Sequence, residues 1–445
     1  MPTAILAGPK LRYPERGRAT ALTNVHARND KGLASDAEAV AATARQTRTV
    51  TPRNSRQASL SLAAVSFAVG TDGFVTAGLL PLVSKSLDVS VASAGQMVTL
   101  YALAYAIAAP VMAALIASWP RRLVLLVGLC TFVAANLATA AAPTLAWLLV
   151  SRAAAGTAGS LATPTAMAAA SELVPPERRG RALAIVVGGL SFATALGSPL
   201  GLLIAAAGHW RTTLFFVAAL GVAAAIGVAR TIPASRPSSP APSMKARLIV
   251  VRDLRVLRVL ITSFAAFTGY YVVYTYIAVV LQPAAGNREA VLTALLVMYG
   301  VSGLVGNHLA GQAVDRWGPH RVGLIALLVS GGNMAILSWT RTSLPAAAVA
   351  MTIWGLSAWS MPVVQSHRLV TINPATAPLL TGLNSSIVYL AVSSAACAGG
   401  AALTWSGPSI LPILAAACVA LAVASVAGAY RSPVDSPAST VRFTP

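Results

Sequence analysis

The chain is poor in acidic residues, in charge of either sign and in cysteine. Of its 445 residues only 12 are Asp or Glu and only 10% are charged, well below the share typical of a soluble domain. Its three cysteines, Cys130, Cys397 and Cys418, lie inside apolar runs and lack disulfide or metal-ligand spacing. There is no glycine-rich phosphate loop ending in Lys and no catalytic constellation. We therefore expect no enzyme, no direct use of ATP, no cofactor and no metal site.

Long apolar stretches make up most of the remainder. Hydrophobic residues account for 56% of the chain, and the mean hydropathy is +0.72. Most uncharged runs between 60 and 430 can span a bilayer, which takes about 20 residues of helix. The longest run, 369–430, is broken at Ser406-Gly407-Pro408 and so counts as two helices. The sequence predicts an all-α membrane protein with twelve transmembrane helices.

Composition also predicts the domain organisation. A basic, proline-rich linker at 232–257 separates a six-helix half at 58–231 from a second six-helix half at 258–430. The polar, acid-poor ends at 1–57 and 431–445 are expected to be disordered tails. An overlong gene start is an equally good interpretation of the first tail.

A short polar segment recurs in the two halves. The sequence Trp119-Pro-Arg-Arg122 corresponds to Trp317-Gly-Pro-His-Arg321, which indicates two pseudo-symmetric parallel halves around a central path, with a binding site near the midplane. At the positions of Asp315 and Arg316 in the second copy, the first copy has Ala117 and Ser118. One interpretation is an ordinary interfacial loop; the other, which we favour, is a latch between helices. The predicted gating residues are Gly311, Asp315, Arg316, Gly318 and Arg321.

The net charge of +20 reflects membrane topology. The basic residues lie between helices and not on a soluble domain, which argues against nucleic-acid binding. If both termini are cytoplasmic, only Lys85, Arg211, Arg288 and Arg341 fall on the opposite side. Because cytoplasmic loops collect Lys and Arg, we predict a bacterial inner-membrane protein with both termini inside.

Two charged residues interrupt apolar helices. Asp72 lies near the middle of the first helix, and Arg152 lies inside the fourth. A charge at bilayer depth must face protein or water, and alternating exposure of a carboxyl group can load and release a proton. We predict that Asp72 and Arg152 form a charge-coupled proton site. A purely structural hydrogen bond from Asp72 to a neighbouring helix is the alternative.

Aromatic and amide side chains in the apolar helices are candidates for substrate contact. Tyr270 and Tyr274 share a helix face, and Trp354 lies inside a helix, unlike the tryptophans at helix ends. Packing is the alternative for each. The predicted substrate-binding set is Phe74, Tyr270, Tyr274, Trp354 and Asn384.

Several of these motifs resemble those of the major facilitator superfamily, over about 60–430. The loop at 311–321 resembles its cytoplasmic motif, Arg152-x-x-x-Gly156 its fourth-helix motif, and Gly197-Ser-Pro199-Leu-Gly201 its fifth-helix antiporter motif. The run Gly70 to Pro81 is similar to proton-coupled efflux permeases of the arabinose-efflux and chloramphenicol-resistance type. The resemblance implies a link between Arg152 and proton transfer, and an antiport bias at Gly197, Pro199 and Gly201.

These observations favour a secondary transporter. We expect a monomer that exports small amphipathic molecules, such as drugs or sugar- and nucleoside-like metabolites, by proton antiport with alternating access. Its partners would be the substrate, protons and membrane lipids, with no nucleic acid. An uncoupled facilitator or importer of one metabolite is the alternative, and a membrane scaffold or sensor is a third.

Overall fold

Helices account for nearly all of the described part of the chain. The computed structural model describes residues 52–116, 118–175, 178–234, 252–286 and 288–430, and no strand occurs among them. The predicted tails, up to residue 51 and from residue 431, lie outside these residues. So do 235–251 of the predicted linker.

Among the described residues, twelve helices are long and apolar enough to cross a membrane, which confirms the predicted count. They are α1 (Pro52–Leu87), α2 (Val91–Leu115), α3 (Arg121–Ala140), α4 (Leu145–Glu172), α5 (Arg179–Ala207), α6 (Trp210–Thr231), α7 (Leu254–Thr275), α8 (Glu289–Trp317), α9 (Pro319–Thr340), α10 (Leu344–Ile372), α11 (Ala377–Ser406) and α12 (Ile410–Tyr430).

Local chemistry sets the helix ends. Side-chain oxygens of Ser90 and Thr144 each accept a backbone N–H from the first turn of α2 and α4, and Asp253 does the same for α7. This cap places the start of α7 at Leu254, four residues before the predicted start of the second half, because polar residues can continue a helix beyond its apolar run. Gly318 has a φ of +80° at the turn between α8 and α9, a conformation that a residue with a Cβ rarely adopts.

Two helices depart from regular α geometry. A turn of π-helix at Ala193–Gly197 widens α5 immediately before Pro199, a position at which proline removes a backbone hydrogen bond. Helix α10 is interrupted at Trp359, between Ala358 and Ser360. Both interruptions lie beside the site described below.

We call the end of the bundle that carries the start of α1 and the end of α12 the tail face, and the opposite end the distal face. Consecutive helices within each half alternate in direction. The contacts Thr99–Ser393 and Tyr105–Tyr389 show that α2 and α11 are antiparallel, which relates the two halves. The tail face also carries the turn at Gly318; the distal face carries the turn at Gly407 and the segment between α7 and α8. That segment forms two short helices, Ile277–Val280 and Gln282–Ala285.

Close helix contacts join the first six helices to the last six along a seam. Helix α2 packs along α11, where the Ser393 hydroxyl donates to the Thr99 carbonyl at 3.1 Å. Helix α5 packs against α8, and a Cβ on Gly300 would overlap the backbone of Thr194 and Ala195. The two halves therefore meet directly near the middle of the bundle.

Candidate functional site

A buried ion pair lies in the first half. Arg152 Nη1 of α4 donates a hydrogen bond to Asp72 Oδ1 of α1 at 2.7 Å, and the side chains are 1% and 0% exposed. Separating two such charges in a low-dielectric interior is far costlier than separating a surface pair. The pairing inferred from the sequence is thus present in the fold, and its role in proton transfer remains a prediction.

The surroundings of the pair are polar on one side and aromatic on another. Arg152 Nη1 also donates to Asn136 Oδ1 at 3.4 Å, and Nη2 donates to Thr76 Oγ1 at 3.5 Å. The ring of Tyr101 lies 4.6 Å from the guanidinium carbon, within cation–π range. Three neutral groups therefore hold the arginine in addition to Asp72.

The pair has unused hydrogen-bonding capacity. Among the described residues, Asp72 Oδ2 and Arg152 Nε have no hydrogen-bond partner. A carboxylate oxygen without a donor is a site at which a proton can be added while the Oδ1 bond to Arg152 persists. The described residues therefore leave one acceptor atom of Asp72 and one donor atom of Arg152 unfilled.

Small residues bring the helices of the site together. Gly156, one turn after Arg152, lies so close to α2 that a Cβ would overlap the Tyr101 backbone carbonyl. Gly197 lies against the side chain of Thr71, next to Asp72. Close approach of this kind is the physical reason for glycine at both positions.

The fifth-helix motif joins the two halves. Gly201 lies against Val75 of α1, and the Thr213 hydroxyl of α6 donates to the Gly201 carbonyl at 2.7 Å. Pro199 is buried immediately after the π-helical turn. Because that turn also packs on Gly300 of α8, one short segment touches both the helix of Asp72 and the second half.

An aromatic cluster crosses the seam. Phe74 of the first half lies 5.7 Å from the Tyr274 ring and 5.9 Å from the Trp359 ring of the second half. Tyr299 lies 5.5 Å from Tyr274 and 4.8 Å from Trp354. All distances are between ring centroids. These rings form a wall that both halves share, two residues along α1 from Asp72.

The predicted substrate-binding residues fall into two groups. Phe74, Tyr274 and Trp354 belong to the aromatic cluster. Tyr270 instead bonds to the Ser330 hydroxyl of α9 at 2.9 Å, and Asn384 accepts a 2.6 Å bond from Ser263. The structure therefore places those two in polar contacts within the second half: Tyr270 joins α7 to α9, and Asn384 joins α11 to α7.

Sequence reasoning missed several residues around the site. Asn136, Tyr101 and Trp359 were not predicted to take part, and neither was the fully buried Gln365, which donates to Val259 O and Ser263 Oγ. Asn136 and Gln365 are amides inside apolar helices. An unpaired polar group is costly in lipid, so their position in the sequence was a signal that each has a polar partner. No pattern within one helix shows that Tyr101 faces Arg152.

The predicted latch is open to solvent. Asp315, Arg316 and Arg321 are exposed, and Asp315 has no ion pair among the described residues. A Cβ on Gly311 would meet nothing within 4 Å. In the corresponding region of the first half, Arg121 pairs with Glu172 of α4 at 2.9 Å. The two copies therefore differ in contacts as well as in sequence.

Comparisons with known proteins identify the family. The sequence profile of the Major Facilitator Superfamily matches residues 62–396. Over 354 residues the chain is 30% identical to the uncharacterized MFS-type transporter YbcL of Bacillus subtilis, covering 78% of this chain and 90% of that protein. Over 333 residues it is 32% identical to a chloramphenicol efflux pump of Mycobacterium tuberculosis, covering 73% and 80%.

A third relative is a chloramphenicol resistance protein of Streptomyces lividans, 31% identical over 281 residues, which are 62% of this chain and 70% of that protein. Among the described residues, no group of three or more His, Cys, Asp or Glu side chains is placed to hold a metal ion. With twelve helices in its described part that are long and apolar enough to span a membrane, and a profile match over most of its length, this chain belongs to the Major Facilitator Superfamily and is a multi-pass membrane transporter, not an enzyme.

Proposed function

We propose that this transporter exports small amphipathic molecules by proton antiport, with Asp72 carrying the proton and Arg152 as its charge partner. The single observation that carries the proposal is the fully buried 2.7 Å pair in which Asp72 Oδ2 has no partner among the described residues. A buried pair stabilises a fold little compared with apolar packing, so its presence in an apolar helix favours a functional role.

The proton step changes one charge. When Asp72 takes up a proton at Oδ2 the carboxyl group becomes neutral, and Arg152 loses its only charged partner within the described residues. A ligand or proton that interacts differently with two conformations shifts the equilibrium between them. Protonation from one side and release to the other would then drive the opposing movement of substrate.

The aromatic cluster is the proposed substrate surface. Phe74, Tyr274 and Trp354 combine flat apolar faces with hydroxyl and indole groups, which suits amphipathic molecules. The two relatives whose names mention chloramphenicol make that compound a sensible first probe for this chain. Tyr270 and Asn384 bond to Ser330 and Ser263, and are proposed to support the site without contacting the substrate.

The tail face is proposed to be cytoplasmic, with this conformation open towards it. The distribution of Lys and Arg supports that orientation. The aromatic and polar contacts between halves, from Tyr105–Tyr389 to Gly95–Tyr276, lie between the middle of the bundle and the distal face. At the tail face the latch residues Asp315 and Arg316 are exposed, as a disengaged latch requires.

Transport by purified protein in proteoliposomes tests the function. Chloramphenicol and a panel of amphipathic drugs and sugar- or nucleoside-like compounds would be followed with and without an imposed pH gradient. We expect gradient-driven accumulation of at least one compound by the wild type, and only downhill movement by Asp72→Asn. Downhill equilibration of the compounds that is unchanged by the gradient, with no accumulation, would instead show an uncoupled facilitator.

A further inference from the structure

A tyrosine of the second half lies between two tyrosines of the first. The Tyr389 ring of α11 stacks on the Tyr105 ring of α2, with centroids 3.5 Å apart and planes at 16°. It also lies 6.5 Å from the Tyr101 ring, one turn earlier on α2. The contact crosses the seam between the halves at mid-bundle.

The same group of rings reaches the buried ion pair. Tyr101 lies 4.6 Å from the guanidinium carbon of Arg152, which in turn bonds to Asp72 at 2.7 Å. An unbroken series of contacts therefore runs from Asp72 through Arg152 and Tyr101 to Tyr389. The first three residues belong to one half and the last to the other.

Tyr101 is held in place by its backbone and ring. Gly156 lies against the Tyr101 backbone carbonyl, so α2 cannot approach α4 any further at this point. The Tyr101 hydroxyl is buried and has no hydrogen-bond partner among the described residues. The contacts of Tyr101 with Arg152 and Tyr389 are therefore made by its ring.

We propose that Tyr389, clasped by Tyr101 and Tyr105, is the positioning residue that conveys the charge state of Asp72 and Arg152 to the second half. The inference rests on the proposed proton role of Asp72. Protonation at Oδ2 keeps Asp72 Oδ1 as an acceptor but removes its charge, so Arg152 is then held only by neutral acceptors and by the Tyr101 ring. The guanidinium then moves closer onto that ring, and Tyr389 follows because it packs on both tyrosines.

The contacts of Phe74 with Tyr274 and Trp359 also cross the seam, but they do not lead to Arg152. Phe74 is two residues from Asp72, and residues two apart on a helix point to nearly opposite sides. Its recorded ring partners are Tyr274 and Trp359 and not Arg152. In this proposal the aromatic cluster contacts the substrate, whereas the stack of Tyr389 on Tyr105 follows the charge state of Asp72.

A distance measurement between the halves tests the link without any substrate. Spin labels at Leu123→Cys of α3 and Val370→Cys of α10, both exposed near the tail face, would be placed in a protein whose three native cysteines are replaced by Ser. The distance distribution is followed by pulsed electron resonance as the pH is lowered. Label pairs in wild type, Tyr389→Phe, Tyr389→Leu and Tyr389→Met are compared, with Phe216→Leu as a matched loss of a partly buried ring in α6.

We expect the wild type, Tyr389→Phe and Phe216→Leu to show the same acid-induced shift, because the stack persists in each. Tyr389→Leu and Tyr389→Met should lose at least half of it. An undiminished shift in both of these variants would overturn the inference. Absence of any shift in the wild type, or an unaltered shift in Asp72→Asn, would instead count against the proton role on which the link rests.

Transport supplies an independent readout. Tyr389→Leu should reduce gradient-driven accumulation about tenfold while exchange without a gradient stays within about threefold of wild type. In an Asp72→Asn background, which accumulates no substrate, the same change should have no further effect on the acid-induced distance shift, because the two residues act in one series. A merely structural role would lower exchange and accumulation together, and that result would also overturn the inference.

Discussion

Gly197 of α5 lies against the side chain of Thr71, the residue immediately before Asp72 in α1. The antiporter motif is thus in contact with the helix that carries the proposed proton site, and its π-helical turn packs on Gly300 of α8. A change in the position of α1 at Asp72 cannot occur without displacing this segment, because tightly packed interiors transmit displacement.

Gly197→Ala is expected to destabilise the protein by about 1 to 3 kcal/mol, since its Cβ would overlap Thr71 Oγ1. Adding Thr71→Ala removes that atom and should recover much of the loss in thermal unfolding in detergent. Gly188→Ala, on the same helix with nothing within 4 Å of the added Cβ, is the matched control. Equal melting temperatures for Gly197→Ala and Gly188→Ala would contradict the packing described here.

Arg152→Leu should cost about 3 to 5 kcal/mol of stability at neutral pH, because it leaves the Asp72 carboxylate buried without a cation. The double variant with Asp72→Asn should regain most of it, yet remain unable to accumulate substrate against a gradient. Unfolding and transport would be measured on the same preparations. A double variant no more stable than Arg152→Leu alone would show that the ion pair is not the source of the loss.

Phe74→Ala should change the KM of different substrates by different factors, because it removes one wall of the aromatic cluster shared by Tyr274 and Trp359. We expect the changes in KM to differ among substrates by about tenfold, which corresponds to the loss of one aromatic contact. Initial rates over the compound panel provide the measurement. Phe192→Ala, on an exposed position of α5, is the control, and a uniform change across all compounds would argue against a selectivity role.

Asp315→Ala should slow transport several-fold without altering the order of substrate preference, since Asp315 is exposed at the tail face and far along α8 from the aromatic cluster. Turnover across the panel is compared with Gln312→Ala, which lies one turn earlier and contacts His308. A new substrate preference in Asp315→Ala would refute the separation of gating from selectivity.

The sequence identified some parts of the site because each is visible within one helix. Asp72 and Arg152 stand out as charges inside apolar runs, and a lone pair of opposite charges in a membrane has few alternatives to contact. Tyr101, Tyr389 and Trp359 carry no such signal, since aromatic residues in apolar helices are ordinarily packing. Tyr270 and Asn384 are residue types that suit a substrate site, but the Tyr270 hydroxyl bonds to Ser330 of α9 and Asn384 Oδ1 accepts from Ser263 of α7.

The sequence by itself determined the family and the twelve candidate spanning helices of the described residues, because hydropathy, helix breakers and short motifs act over a few residues along the chain. Only the tertiary structure decided which side chains meet across helices: the 2.7 Å bond between Asp72 and Arg152, the contact of Gly197 with Thr71 and the stack of Tyr389 on Tyr105. Those contacts depend on the rotation and depth of each helix, which the packing of all twelve sets together.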